Sequence, residues 1–246
     1  SYRNTAYPRQ KRWGIWNNPP KIVRALKRSA AGQRVLELGA FEPNSGSAFE
    51  IFQISSQMAF NSPRIQQLYR QATGTTHWLF LREARRIPSA GFLARANVAT
   101  ILLNRNVPEL AEALEARRLR KVFEDPWFAI YKQPALPRYF FSSDYRVVTA
   151  TEALERTIAS RPSKRLMLET APTVESRPNR PQQPEVTTER FAINDFVLSV
   201  DAPRPGLVYM SESDMPGWSA TVNGQPRAIL PANYAFRAVE VGRGLN

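Results

Sequence analysis

The stretch GWSATVNGQPRAILPANYAFRAV, residues 217–239, decides the fold of the second half of the chain. Residues 220–222 and 225–230 have the composition of short strands, and Asn223-Gly224 stands between them. A two-residue type I′ turn needs positive φ at both central positions, and Asn-Gly is a pair that adopts this conformation readily. The sequence therefore predicts a β-hairpin at this point.

The β pattern extends upstream to about residue 185. The apolar residues that alternate with polar ones are Phe191, Ile193, Phe196, Leu198, Val200, Leu207 and Tyr209. Short strands at this spacing are typical of a β-sandwich. Residues 151–160 have a helical pattern, and four prolines within residues 172–184 predict a loop. We therefore predict that residues 134–246 form a jelly-roll-like β-sandwich domain with one helix and a proline-rich loop.

The first half of the chain alternates helical and strand patterns. Helices are predicted from Pro20 to about Gly32 and over residues 62–74, 76–85 and 108–118, and strands over residues 34–38, 98–103, 119–123 and 127–131. This alternation predicts an α/β-type domain over residues 1–133. The expected fold class of the whole chain is α+β.

Positive charge is concentrated at one end of this 246-residue chain, whose net charge is +13. Residues 1–36 hold nine basic side chains and no acidic one. The first predicted helix carries apolar residues on one side, and its basic residues are Lys21, Arg24, Lys27 and Arg28. Its apolar side either packs on a domain core, which is the more common arrangement, or lies against an anionic membrane surface.

The composition excludes several kinds of catalytic and metal site. Cysteine is absent and His77 is the single histidine, so disulfides, thiolate metal sites, cysteine nucleophiles and HExxH zinc sites are ruled out. We expect no cofactor and no metal. No run of 18 apolar residues is present, so we do not expect this chain to span a bilayer. It begins at Ser1 without a signal-peptide pattern, and we interpret it as an excised or processed piece.

Four motifs in the tail follow one another in a distinctive order. They are a strand ending in Ser-Glu (residues 206–212), Pro-Gly-Trp (216–218), Val-Asn-Gly (222–224) and Asn-Tyr-Ala-Phe-Arg (233–237). This order resembles the C-terminal extracytoplasmic region of YfhO-type bacterial membrane proteins, which are polytopic and similar to glycosyltransferases that use lipid-linked sugars. Upstream segments around residues 34–36, 43–44, 97–103 and 135–138 extend the resemblance over most of the chain. In the family, however, the tail continues through another strand into a transmembrane helix.

The resemblance implies a non-catalytic domain on the extracytoplasmic face of the bacterial cytoplasmic membrane, periplasmic or at the cell surface. Such a domain would bind or position a glycan or a lipid-linked sugar, while the catalytic carboxylate would lie in the membrane portion of the parent protein. The expected partners are that transmembrane portion, the glycan or lipid-linked sugar, and the anionic membrane surface beside the basic residues of the first helix. A basic nucleic-acid-binding protein is the alternative, although no nucleic-acid-binding motif is present and we expect no nucleic acid partner.

The candidate binding residues are Trp218, Asn233, Tyr234, Arg237 and Arg138, the last from the Leu-Pro-Arg motif of the resemblance. Trp218 either stacks on a sugar ring or, more commonly for such a residue, anchors the core. Asn233, Tyr234 and Arg237 either form a polar cluster for a sugar or phosphate, or alternate along a strand. Alternation would leave a packed aromatic pair behind a solvated arginine.

Acidic residues offer a weaker hypothesis of catalysis. Glu212 and Asp214 are close in sequence, and a carboxylate pair cleaves glycosides in many enzymes. Two acids in a loop are more often solvated. A freestanding hydrolase built on these residues or on Asp144 is a third possibility. His77 could serve as a lone base, but the sequence indicates no second catalytic residue to act with it. We expect no catalytic residue in this segment.

Overall fold

The computed structural model describes residues 20–40, 46, 49–54, 62–75, 86–192 and 194–246. Several sequence predictions lie outside the described residues. These are the helix over residues 76–85 with His77, the segment 43–44, Ile193 and the basic residues before Pro20.

The described residues form two compact units that are discontinuous in sequence. The first draws on Ser1–Ala59, Thr73–Ile87 and Val98–Pro134, and the second on Phe60–Ala72, Pro88–Asn97 and Ala135–Asn246. The division into domains at residues 133 and 134 stays a prediction.

The secondary structure contains both helices and strands in each half of the chain, and the α+β class is confirmed. The helices are α1 (Lys21–Ala30), α2 (Pro63–Thr73), α3 (Ala90–Arg95), α4 (Pro108–Ala116) and α5 (Ala150–Ala159). The strands are β1 (Arg34–Leu38), β2 (Val98–Asn104), β3 (Arg120–Glu124), β4 (Phe128–Lys132), β5 (Tyr139–Ser142), β6 (Tyr145–Val147), β7 (Leu166–Leu168), β8 (Thr187–Ala192), β9 (Asp195–Ser199), β10 (Asp201–Ala202), β11 (Gly206–Met210), β12 (Ala220–Val222), β13 (Gln225–Arg227), β14 (Ile229–Ala232), β15 (Phe236–Val241) and β16 (Gly244–Leu245). The sequence pattern did not predict α3, which has six residues and depends on the Ser89 side chain as its N-cap.

In the first unit, α1 packs on a four-stranded sheet of order β1-β2-β4-β3. The pair β1–β2 is parallel, whereas β2–β4 and β3–β4 are antiparallel. Ile22, Val23 and Leu26 of α1 are buried in one cluster with Leu102 and Ile130 of the sheet. The apolar side of α1 is therefore covered by its own unit and is not available to enter a membrane.

The second unit contains a curled six-stranded sheet of order β5-β11-β15-β14-β7-β6. On one face, Tyr139, Met210 and Val239 are buried against apolar side chains of the hairpins β8–β9 and β12–β13, among them Phe196 and Val222. Further along the same strands, Phe141, Val208 and Val241 pack with Val200 and Ala202. We call this face the hairpin face.

The predicted hairpin at Asn223-Gly224 is confirmed, but its second strand is shorter than expected. Asn223 has φ 51° and Gly224 has φ 76°, and Val222 pairs with Gln225 across the turn. The predicted strand over residues 225–230 ends at Arg227. Ile229 begins β14, which pairs with β15 and β7 of the six-stranded sheet and leaves β12–β13 as a separate ribbon.

Candidate binding site

A row of three paired residues on the hairpin face positions the candidate site. Tyr139 of β5 pairs with Met210 of β11, and Met210 pairs with Arg237 of β15. Directly paired residues in neighbouring strands point to the same face of a sheet. Val239, two positions after Arg237, is buried on the hairpin face, so Arg237 lies on that face as well.

Arg237 is a buried cation. Only 3% of the residue is exposed, and its guanidinium carbon lies 4.5 Å from the centroid of the Trp218 ring. Within the described part of the chain its side chain makes no hydrogen bond and no ion pair, and its Nε atom is buried without a partner. Burial lowers the pKa of Arg237, while the charges of Glu212 and Asp214 oppose this shift. The expectation of a solvated arginine here is wrong, because β15 is a central strand and the hairpins cover its face.

Arg138 and Glu212 form an ion pair beside Arg237. Arg138 Nε lies 2.5 Å from Glu212 Oε1, and each side chain is 18% exposed. The pair is brought together by β5 and β11, since the backbone N–H of Ser211 donates to the carbonyl of Arg138 at 3.0 Å. The Tyr139 hydroxyl donates to the same Glu212 oxygen at 3.3 Å. Glu212 is therefore held by two donors and is not the solvated acid that its loop position suggested.

Trp218 lies between the buried core and the surface. The residue is half-buried, and its ring centroid is 5.8 Å from that of Phe196, which in turn stacks on Tyr139 at 5.6 Å. We define the Arg237 cluster as Arg138, Tyr139, Glu212, Trp218 and Arg237. It combines guanidinium and hydroxyl donors, a carboxylate acceptor and a partly accessible indole within one region of the hairpin face.

Asn233 and Tyr234 do not join the Arg237 cluster. They form the turn between β14 and β15 with φ values of 48° and 70°, so the strand predicted from Asn233 begins only at Phe236 and alternation does not apply to residues 233–235. The Asn233 side-chain oxygen accepts from Met167 N–H at 3.0 Å. The Tyr234 hydroxyl donates to Gln67 Oε1 at 2.5 Å. These contacts attach the turn to β7 and α2, and a ligand-binding role for the two residues stays a prediction.

Glu212 and Asp214, the candidate carboxylate pair, have different surroundings in the structure. Glu212 is bound by Arg138, as described above. Asp214 is half-buried, and its backbone N–H donates to the carbonyl of Ala235 at 2.8 Å. Asp144, the remaining candidate, forms an ion pair with Arg165 at 2.8 Å. Glu212 and Asp144 are thus each paired with an arginine.

The basic residues of α1 are arranged on its outer side. Lys21, Arg24, Lys27 and Arg28 are all exposed, and Lys27 Nζ lies 3.0 Å from a Glu50 carboxylate oxygen. Exposed charges of this kind are available for electrostatic attraction to an anionic surface.

The sequence analysis missed one residue of the Arg237 cluster, Tyr139, and one residue beside it, Phe196. Tyr139 belongs to the aromatic run that follows the Leu-Pro-Arg motif, and Phe196 belongs to the alternating pattern of β9. Both types of signal predict a strand and do not indicate which neighbour the side chain contacts. Their contribution depends on the pairing of β5 with β11 and on the position of the β8–β9 hairpin.

Among the residues that the structure describes, no group of three or more histidine, cysteine or acidic side chains could hold a metal ion. In the same parts of the chain, no helix combines the length and apolar character needed to cross a membrane. The chain matches no family model, no curated protein and no solved structure.

Proposed function

We propose that this chain is the extracytoplasmic domain of a YfhO-type bacterial membrane protein and that it binds or positions a glycan or a lipid-linked sugar without catalysing its transfer. The observation that carries the proposal is the Arg237 cluster, in which a half-buried indole contacts the Arg237 guanidinium and the ion pair of Arg138 with Glu212 lies nearby. The membrane portion of the parent protein and the anionic membrane surface are the other proposed partners, on the periplasmic or cell-surface side.

The chemistry of a sugar ring supports this choice of ligand. A pyranose has an apolar C–H face and a rim of hydroxyl groups that both donate and accept hydrogen bonds. Trp218 offers an aromatic plane that is partly accessible, which suits the apolar face. Arg138, Glu212 and the Tyr139 hydroxyl offer donors and acceptors at one edge of the sheet. Binding pockets for small polar ligands commonly combine an apolar lining with a few such polar groups.

The arrangement of the second unit supports the proposal of a jelly-roll-like β-sandwich, with an α/β-type first domain. Val186, Leu198 and Val222 pack against the buried residues of the hairpin face. The hairpins β8–β9 and β12–β13 thus occupy the place that a second sheet takes in a sandwich. In the first unit, a helix covers a sheet whose β1–β2 pair is parallel.

Membrane contact, in this proposal, is electrostatic. The apolar side of α1 is covered by β2 and β4, while its basic side chains are exposed. Such residues contribute roughly 1 kcal/mol each near an anionic membrane surface at low salt. We infer that α1 lies beside the lipid headgroups without entering the bilayer.

Replacement of Trp218 tests the binding part of the proposal. We expect the native chain to bind soluble glycosides saturably, and Trp218→Ala to weaken that binding roughly fivefold, because an aromatic contact of this kind contributes ~1 kcal/mol. Calorimetric titration with methyl glycosides of common hexoses measures the effect. Trp218→Phe, which keeps an aromatic ring, should lose less.

Trp127→Ala is the matched control, since Trp127 is 49% exposed and belongs to the first unit. An equal loss in Trp127→Ala, or an absence of glycoside binding by the native chain, would argue against a glycan site at Trp218. A circular dichroism spectrum of each variant identifies loss of binding that comes from misfolding.

A further inference from the structure

We infer that the ligand of the Arg237 cluster carries an anionic group, a phosphate or a carboxylate, and that Arg237 binds this group. The surroundings of Arg237 support the anionic group. That this group is attached to a sugar rests on the proposed function. An experiment can therefore contradict the anionic group without contradicting the sugar, and the reverse.

Arg237 differs from Arg64 and Arg138 of the second unit in lacking a carboxylate partner among the described residues. Arg64 pairs with both carboxylate oxygens of Glu169, and Arg138 pairs with Glu212. The side chain of Arg64 is 34% exposed and that of Arg138 is 18% exposed. As whole residues, Arg64 and Arg138 are half-buried and Arg237 is buried, and yet Arg237 forms no ion pair with any residue that the structure describes.

An unpaired buried charge is unfavourable for folding, because the guanidinium loses its hydration without gaining a counter-charge. The Trp218 ring at 4.5 Å offsets part of this cost through a cation–π contact. Glu212 and Asp214 act on Arg237 only through space. The described residues thus compensate the buried charge of Arg237 only in part. We therefore expect a ligand from outside the chain to supply the missing counter-charge.

The guanidinium of Arg237 keeps a slight exposure at its two terminal nitrogens. Nε is the only one of its nitrogens that is both buried and without a hydrogen bond. Since the Arg237 side chain makes no hydrogen bond within the described residues, its two Nη atoms keep some contact with solvent. These two nitrogens form the planar fork that binds phosphate or carboxylate oxygens in a bidentate manner.

The neighbouring acids do not prevent an anion from binding. The charge of Glu212 is compensated by Arg138 and by the Tyr139 hydroxyl. Asp214 is the second negative charge that acts on Arg237 through space. Its repulsion disfavours a dianion, so we expect singly charged groups such as a phosphodiester or a carboxylate to be preferred.

The test compares methyl glucoside with methyl glucuronide, which differ by one carboxylate, and includes glucose 1-phosphate, inorganic phosphate and acetate. Titrations are followed by calorimetry at low salt on the full chain. We expect the native chain to bind methyl glucuronide about tenfold more tightly than methyl glucoside, because one charge-assisted hydrogen bond contributes a binding free energy of about that size.

Arg237→Met should abolish this preference, and it should unfold at a temperature no lower than the native chain because it removes an unpaired buried charge. Arg237→Lys should retain part of the preference, since it keeps the charge and loses the planar fork. Arg227→Met is the matched control, because Arg227 is exposed on β13 of the same unit, and it should bind like the native chain.

Equal affinity for the neutral and anionic glycosides, with no change in Arg237→Met, would overturn the anion inference while leaving the glycan function standing. Acetate or inorganic phosphate binding as tightly as the anionic glycoside, again with loss in Arg237→Met, would support the anion site and contradict the glycan function. No binding of any probe at millimolar concentration would overturn both. If Arg237→Met does not fold, the comparison of ligands on the native chain and on Arg237→Lys still decides the question.

Discussion

At the scale of single residues, Lys164 shows how partial burial of a charge links stability to pH. Its ammonium nitrogen lies 5.6 Å from the centroid of the Phe140 ring, and burial lowers the pKa of Lys164 from its ordinary value of 10.5. Between the lowered value and 10.5 the unfolded chain binds more protons than the native chain does, so the contribution of Lys164 to stability rises with pH in that interval. The cost of the buried charge is fully present below the lowered pKa.

We therefore expect Lys164→Met to be more stable than the native chain at neutral pH, with an advantage that shrinks as the pH approaches 10.5. Midpoints of urea unfolding at neutral pH and near that upper value measure the difference. Lys21→Met, which removes an exposed lysine, controls for the change in net charge. An advantage of Lys164→Met that grows with pH would show that the sign of the linkage is wrong.

At the scale of elements, the contact between α3 and α5 depends on a glycine. A Cβ atom added to Gly91 would lie 1.7 Å from the backbone carbonyl oxygen of Ser160, at the end of α5. The Ser89 side chain also donates to the carbonyl of Ile158, and Arg95 donates to the carbonyl of Arg161 at 3.2 Å. The two helices thus meet backbone to backbone, which only a residue without a side chain permits.

Gly91→Ala should destabilise the chain by about 2–3 kcal/mol, the range of a severe overpacking, although Gly→Ala within a helix is otherwise favourable. Free energies of unfolding from denaturant titration measure the change. In the control variant Gly242→Ala, the new Cβ would have only Asn246 Oδ1 nearby, at 3.8 Å, and we expect almost no loss. Equal stability of both variants would mean that α3 and α5 separate without cost.

At the scale of the whole molecule, the net charge of +13 is the property most relevant to partners. The exposed basic side of α1 is the described surface through which we propose that this charge meets anionic lipids. Replacing Lys21, Arg24, Lys27 and Arg28 with Gln should weaken binding to anionic liposomes at low salt by about 1 kcal/mol per residue. Sedimentation with liposomes of increasing anionic lipid content measures the loss.

The control for that variant replaces four exposed basic residues of the second unit with Gln, namely Arg146, Arg180, Arg227 and Arg243. It changes the net charge equally, so a weaker effect than that of the α1 variant would identify α1 as the contact surface. Equal losses of liposome binding in the two variants would contradict a specific role of α1. Salt-dependent binding to a single-stranded oligonucleotide, without liposome binding, would favour the nucleic-acid alternative.

Local structure was predicted well wherever neighbouring residues determine it. The Asn223-Gly224 turn follows from the positive φ that both residues tolerate, and the buried strand β2 follows from its continuous apolar run. Trp218 and Arg237 were identified as candidate binding residues because of their type and their motifs. None of these inferences needs a contact between distant parts of the chain.

Only the tertiary structure decided how the candidate residues are grouped. Met210 lies between Tyr139 and Arg237 because β11 pairs with both β5 and β15, and these pairings join segments far apart in sequence. The same long-range pairing buries Arg237 under the hairpins and assigns Asn233 to a turn held by β7. Strand register is set by burial of a shared face, which is a property of the assembled sheet and is not encoded in any one of its strands.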